Sequence, residues 1–179
     1  EELPPVPANA STWSDAIPVG ETWWRQLGLA GPITGVHGDY LLVGGGANFP
    51  EPGKTSNEAT TLGKVYWNEV FVLDLARETW LDKSFTMPDA LSYAATIGLP
   101  EGVMVIGGEG YEGGPNGSKL ASVATFADVF LTRFDPARRE VVFKSYPPLP
   151  AASSSGGAAL LGRTVYYQAG KDFLALDLD

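Results

Sequence analysis

The feature that most limits what this chain can fold into is a hairpin pattern that occurs three times and each time stops at small residues. Ile33-Thr34-Gly35-Val36-His37, the turn Gly38-Asp39 and Tyr40-Leu41-Leu42-Val43 run into Gly44-Gly45-Gly46. Residues 93–99, the turn Pro100-Glu101-Gly102 and Val103-Met104-Val105-Ile106 run into Gly107-Gly108, and residues 156–161, the turn Gly162-Arg163 and residues 164–167 run toward Ala169-Gly170. Apolar segments joined by short glycine-bearing turns signal antiparallel hairpins. The stops at 44, 107 and 170 predict a repeat with a spacing of 63 residues.

A later apolar strand follows each stop. Val70-Phe71-Val72-Leu73-Asp74-Leu75 corresponds to Val129-Phe130-Leu131-Thr132-Arg133-Phe134-Asp135 and to Phe173-Leu174-Ala175-Leu176-Asp177-Leu178. Glu78-Thr79-Trp80 echoes Glu21-Thr22-Trp23. A repeat of this length built only from strands predicts the blades of a β-propeller. Composition agrees, because 22 Gly and 14 Pro in 179 residues favour short strands and turns over long helices. Hydrophobic residues at 44% are enough for a buried core.

The formal net charge of −9 leaves no basic surface to neutralise phosphates, which argues against a nucleic-acid partner. The absence of Cys excludes disulfides and thiol chemistry. No apolar run reaches the roughly 18 residues of a membrane helix, so no membrane partner is expected. Glu1 is not an initiator Met and no signal segment is visible. A leader already removed, with a periplasmic or secreted location favoured over a cytoplasmic one, is the expectation.

Gly108-Glu109-Gly110-Tyr111-Glu112-Gly113 is a G-x-G-x-x-G directly after an apolar run, with Asp128 20 residues beyond the first glycine. A dinucleotide site needs that turn to open a helix whose N-terminus receives the pyrophosphate. Gly113-Gly114-Pro115-Asn116-Gly117 would break such a helix, and Gly45-Gly46-Ala47-Asn48 in the first repeat lacks the fingerprint. The string is expected to be a glycine-rich strand ending.

Strands that end in Gly-Gly, then an aromatic-apolar strand ending in Asp and a Trp about six residues on, resemble the kelch repeat. More narrowly, Gly28-Leu29-Ala30-Gly31-Pro32-Ile33-Thr34-Gly35-Val36, Leu42-Val43-Gly44-Gly45-Gly46-Ala47-Asn48-Phe49-Pro50 and Val105-Ile106-Gly107-Gly108-Glu109 resemble the N-acetylneuraminate epimerases, or sialic-acid mutarotases, in their cyclically permuted branch. The resemblance implies an all-β kelch-type β-propeller, with about three of six blades in this chain. Residues 1–21 would be a lead-in and 22–179 a partial propeller, with an outer strand around 22–26 and repeats at about 28–83, 90–145 and 155–179. The remaining blades would come from a longer polypeptide or from a second copy.

The implied activity is interconversion of sialic-acid anomers by acid–base ring opening, on a small sugar substrate and without metal or cofactor. The other function class open to such a chain is a non-catalytic kelch module that presents long loops to a protein or glycan. Propeller geometry puts the ends of the second strands and the lead-ins to the first strands on one face. Glu109 is the candidate catalytic acid or base there, with Asn48 and Tyr93 as candidate substrate-binding groups; a carboxylate in a partly buried site can exchange a proton with the anomeric hydroxyl. A cation should hold the sugar's own carboxylate. His37, on the opposite face and without partner ligands, is no metal site. The sequence also departs from the family: no arginine precedes Ser92-Tyr93-Ala94, and none follows Glu109 before Arg133.

Overall fold

The computed structural model describes residues 29–49, 64–113 and 122–179, and among them there are strands and turns but no helix. The lead-in over 1–21 and the outer strand expected around 22–26 lie outside the described residues. So does the Gly114-Pro115-Asn116-Gly117 end of the second long loop.

β1 (Ile33–His37) and β2 (Tyr40–Gly44) form the first hairpin, and β3 (Ala47–Asn48) pairs with β4 (Val65–Tyr66) as a short ribbon beyond it. β5 (Glu69–Asp74), β6 (Thr79–Trp80) and β7 (Phe85–Thr86) complete a first sheet in the order β1-β2-β5-β6, with β7 also on β5. β8 (Ala90–Ser92) precedes the second hairpin, β9 (Ala95–Leu99) and β10 (Gly102–Ile106), and β11 (Glu109–Tyr111) pairs with both β8 and β12 (Ala124–Thr125). β13 (Val129–Asp135) and β14 (Glu140–Tyr146) finish the second sheet, β9-β10-β13-β14. The third sheet is β15 (Gly157–Leu161), β16 (Thr164–Ala169) and β17 (Asp172–Asp177). Every pairing is antiparallel. The all-β expectation is met, in an arrangement consistent with a β-propeller fragment.

The run Val103-Met104-Val105-Ile106 is apolar throughout because β10 is buried on both faces. Side chains alternate across a strand. Val105 therefore joins Ile33, Leu42, Val70 and Leu91 in a core against the first sheet, whereas Met104 and Ile106 join Leu131, Val165 and Tyr167 in a core against the third. β1 packs on β9 and β10, and β9 on β15, so the first strands of successive sheets are neighbours. β17 shows the contrasting case: it alternates between exposed and half-buried positions, and Phe173 is 70% exposed.

The repeat is visible in the backbone, with a spacing that differs by one residue from the glycine count. Ile33, Ala95 and Gly157, which open β1, β9 and β15, stand 62 residues apart. Gly45-Gly46 therefore matches Gly107-Gly108, and Gly44 matches Ile106, so the sequence marks had compared different members of the glycine runs. Gly46 donates its N–H to the Leu91 carbonyl and Gly108 to the Ser153 carbonyl, both at 2.8 Å. Trp67 donates to Gly46 and Phe126 to Gly108, at 2.9 and 2.8 Å. The bonds to Leu91 and Ser153 thus join each repeat to the next at equivalent positions, and those from Trp67 and Phe126 tie each glycine pair to its own repeat. Left-handed φ values permit this approach: +60° and +86° at Gly45 and Gly46, +61° and +115° at Gly107 and Gly108.

Candidate functional site

The segment after Gly107-Gly108 becomes strand β11, not a helix, so the G-x-G-x-x-G offers no helix N-terminus to a phosphate. Glu109 is its first residue, paired with Ser92 on one side and Thr125 on the other. A Cβ at Gly108 would come within 2.5 Å of Leu91 and 2.9 Å of the Ser92 carbonyl, so only glycine lets β11 start this close to β8.

Three chain segments meet at the Glu109 carboxylate. Tyr66, from β4, donates its hydroxyl to Oε1 at 2.6 Å. Ser154, in the lead-in to β15, donates its hydroxyl to Oε2 at 3.2 Å. Lys64 Nζ lies 3.7 Å from Oε1. The Lys64 ammonium also sits over two phenol rings, 4.3 Å from the centroid of Tyr93 and 4.8 Å from that of Tyr66. Tyr66 in turn meets Tyr111 edge to face at 5.3 Å.

The electrostatics follow from this packing. Burial pushes the Tyr66 phenol up from its usual range, the bond to Glu109 pushes it further, and Lys64 offsets part of the rise. For Lys64 burial pulls downward, but the adjoining phenols of Tyr93 and Tyr66 outweigh that and the net shift is up. Both groups are therefore protonated at neutral pH, and the site holds an ammonium among phenols beside a carboxylate.

Tyr93 does not lie on the first strand of its sheet, where the sequence pattern put it. It stands between β8 and β9 with φ +57°, a conformation that is strained for a bulky residue. Gly31 and Ser155, 62 residues away on either side, have φ values of +58° and +59°. Tyr93 donates its N–H to Gly31 at 2.9 Å and accepts one from Ser155 at 2.8 Å. The repeat itself imposes the left-handed residue, and at the middle position that residue carries a phenol over Lys64.

Of the three residues singled out from sequence, Glu109 and Tyr93 are brought together around Lys64. Asn48 lies opposite Val65 on the ribbon that carries Tyr66, and its Oδ1 accepts a bond from Trp67 Nε1 at 2.9 Å. Lys64, Tyr66 and Ser154 were missed. The signal for the first two was the alternation in Lys64-Val65-Tyr66, which puts Lys64 and Tyr66 on one face of a strand. His37 is at the hairpin end of β1, beside a cleft of about 350 Å³ that Glu101 and Arg133 also line. Among the described residues no cluster of His, Asp or Glu could hold a metal ion. A cleft of about 330 Å³ beside β13 and β14, lined by Met87, Asp89, Phe126, Asp128 and Phe143 among others, does not include Glu109. Glu109 is the better candidate site, because its carboxylate is fixed by two hydroxyl donors beside a cation.

No family model matches the chain. Curated relatives do. A protein named N-acetylneuraminate epimerase from Vibrio vulnificus is 32% identical over 100 residues, which are 52% of this chain and 25% of that protein. One of the same name from Salmonella enteritidis PT4 is 34% identical over 126 residues, 64% of this chain and 30% of the relative. A third, from Salmonella arizonae, is 30% identical over 129 residues, 65% and 30% of the two chains. The match therefore spans less than a third of the length of these relatives. Over half to two thirds of its own length, the chain is a relative of proteins named N-acetylneuraminate epimerase, the family its glycine motifs resemble.

Proposed function

We propose that this chain is part of a six-bladed kelch-type propeller of the sialic-acid mutarotase kind, and that it contributes Glu109 to acid–base ring opening of N-acetylneuraminate. The first, second and third sheets are then successive blades, in repeats of about 28–83, 90–145 and 155–179. The other blades belong to a longer polypeptide, a reading supported by the 25–30% of each relative that is matched.

The chemistry needs one proton removed from the anomeric hydroxyl and one delivered to the ring oxygen. The anomeric C–O ring bond breaks, the exposed keto carbon turns its other face, and the hydroxyl re-adds with the two protons returned. Glu109 takes the first proton and, as the carboxylic acid so formed, supplies one to the ring oxygen, with the reverse transfers on reclosure. Tyr93 and Asn48 are the hydrogen-bonding groups that hold the sugar. Tyr66 and Ser154 keep the carboxylate in a single orientation, which such transfer requires.

One observation carries this reading: a carboxylate held at both oxygens, immediately past a glycine pair, in a chain related to epimerases. The family pattern pairs its glutamate with an arginine shortly after it, in a different repeat from the one Glu109 occupies, and this chain has no arginine between Glu109 and Arg133. Lys64 is the cation found beside Glu109 instead.

The test is the rate at which freshly dissolved crystalline N-acetylneuraminate reaches anomeric equilibrium, followed by proton NMR. Saturable acceleration, reduced about 100-fold or more by Glu109→Gln, is the expected result. Acceleration that survives the substitution would move the base to another residue, and no acceleration by the protein would remove the enzyme reading.

A further inference from the structure

Lys64 has capacity that acid–base chemistry at Glu109 leaves unused. An ammonium has three N–H donors. The rings of Tyr93 and Tyr66 cover part of it, and Glu109 Oε1, at 3.7 Å, lies at the long end of an ion pair. Glu109 is already engaged more closely by the hydroxyls of Tyr66 and Ser154. About a third of the Lys64 side chain, 32%, remains accessible. The net charge of −9 repels anions over long range, so an acidic ligand must be recognised by a fixed local cation. The phenols of Tyr93 and Tyr66 flank Lys64, and the Tyr93 backbone is tied to Gly31 and Ser155 by hydrogen bonds.

We propose that Lys64 is the seat of the ligand's own carboxylate, so that the site takes an acidic sugar whose carboxylate is attached to the anomeric carbon. In N-acetylneuraminate one carbon bears both the carboxylate and the hydroxyl that loses its proton. The anchor and the base must then lie within a few ångströms of one another, and Lys64 Nζ is 3.7 Å from Glu109 Oε1. A neutral sugar offers no group for that ammonium. The assignment rests on the mutarotase reading and adds to it the residue that selects the substrate class.

The experiment is titration of the full chain with the methyl glycoside of N-acetylneuraminate, which cannot mutarotate and so reports binding apart from turnover. The carboxamide of the same glycoside serves as the neutral control. The expected result is that the protein binds the acid at least about tenfold more tightly than the amide, that Lys64→Met abolishes the preference and Lys64→Arg retains most of it. A preference for the acid undiminished in a folded Lys64→Met would overturn the anchor and leave the mutarotase reading intact. If Lys64→Met does not fold, equal binding of acid and amide by the unsubstituted protein overturns the anchor by itself. Failure to bind either glycoside, together with failure to accelerate anomer exchange, would overturn the mutarotase reading and the anchor with it.

Discussion

Tyr66 donates its hydroxyl to Glu109 across 2.6 Å, linking the ribbon beyond the first sheet to the strand that follows the second glycine pair. Burial first, and then this bond, raise the Tyr66 phenol above its ordinary value of 10.0. The unfolded chain therefore releases this proton at a lower pH than the folded one. The associated stability is fully present below about pH 10 and is lost as pH rises through the folded value. Urea midpoints measured from pH 8 to 11 should fall less steeply for Tyr66→Phe. At pH 7 the same variant should be less stable by about 1.5–3 kcal/mol, the net worth of a hydrogen bond to a charged group.

Glu69 gives a lever of the same sign at acidic pH. Burial alone raises its carboxyl above the ordinary 4.5, so ionisation is disfavoured in the folded chain. Stability from this group is present below that value and is lost as pH rises through the folded one. Glu69→Gln should raise the urea midpoint at pH 7 and leave it nearly unchanged at pH 4. An equal gain at both values would mean that charge is not the cause.

Gly107 and Gly162 have nearly the same left-handed φ, +61° and +63°, in different surroundings. A Cβ at Gly107 would run into the Ser153 carbonyl, whereas nothing lies within 4 Å of one at Gly162. Gly162→Ala should cost only the backbone term, about 1–2 kcal/mol. Gly107→Ala adds a clash with the junction between sheets and should cost several kcal/mol, about 3 or more. Chemical denaturation of the two variants gives the comparison directly, and equal losses would contradict a close-packed junction.

Solution mass addresses how a ring would be completed. With the other blades supplied by a longer polypeptide, the 179-residue chain should run as a species of 19.0 kDa by light scattering. A stable species of twice that mass would favour a ring made from two copies.

The strands were largely legible in the sequence and the site was not. The turns at Gly38, Pro100-Glu101 and Gly162-Arg163 announced the hairpins because the neighbouring apolar runs have no other way to pair, and β13 begins and ends where its apolar run does. The small strands β3, β4, β8, β11 and β12 carry two or three residues each, too few for a period to register. Glu109 was found because it follows a glycine pair. Its partners Tyr66 and Ser154 lie 43 and 45 residues away along the chain, and no local pattern reports a meeting of that range. Tyr93 read as a strand residue because its aromatic character outweighs, in any propensity argument, the left-handed turn that the repeat forces on it.

The hydrogen bonds from Gly46 to Leu91 and from Gly108 to Ser153 have a direction: each runs from one repeat to the next, so the second repeat receives through Leu91 and gives through Gly108. Such a head-to-tail joint, applied again and again, produces either a closed circle or an endless spiral, depending only on the rotation between neighbours. In the proposed propeller the diameter would then be set by that one small joint, and altering its tilt would change how many sheets fit around the circle before it loosened any single sheet.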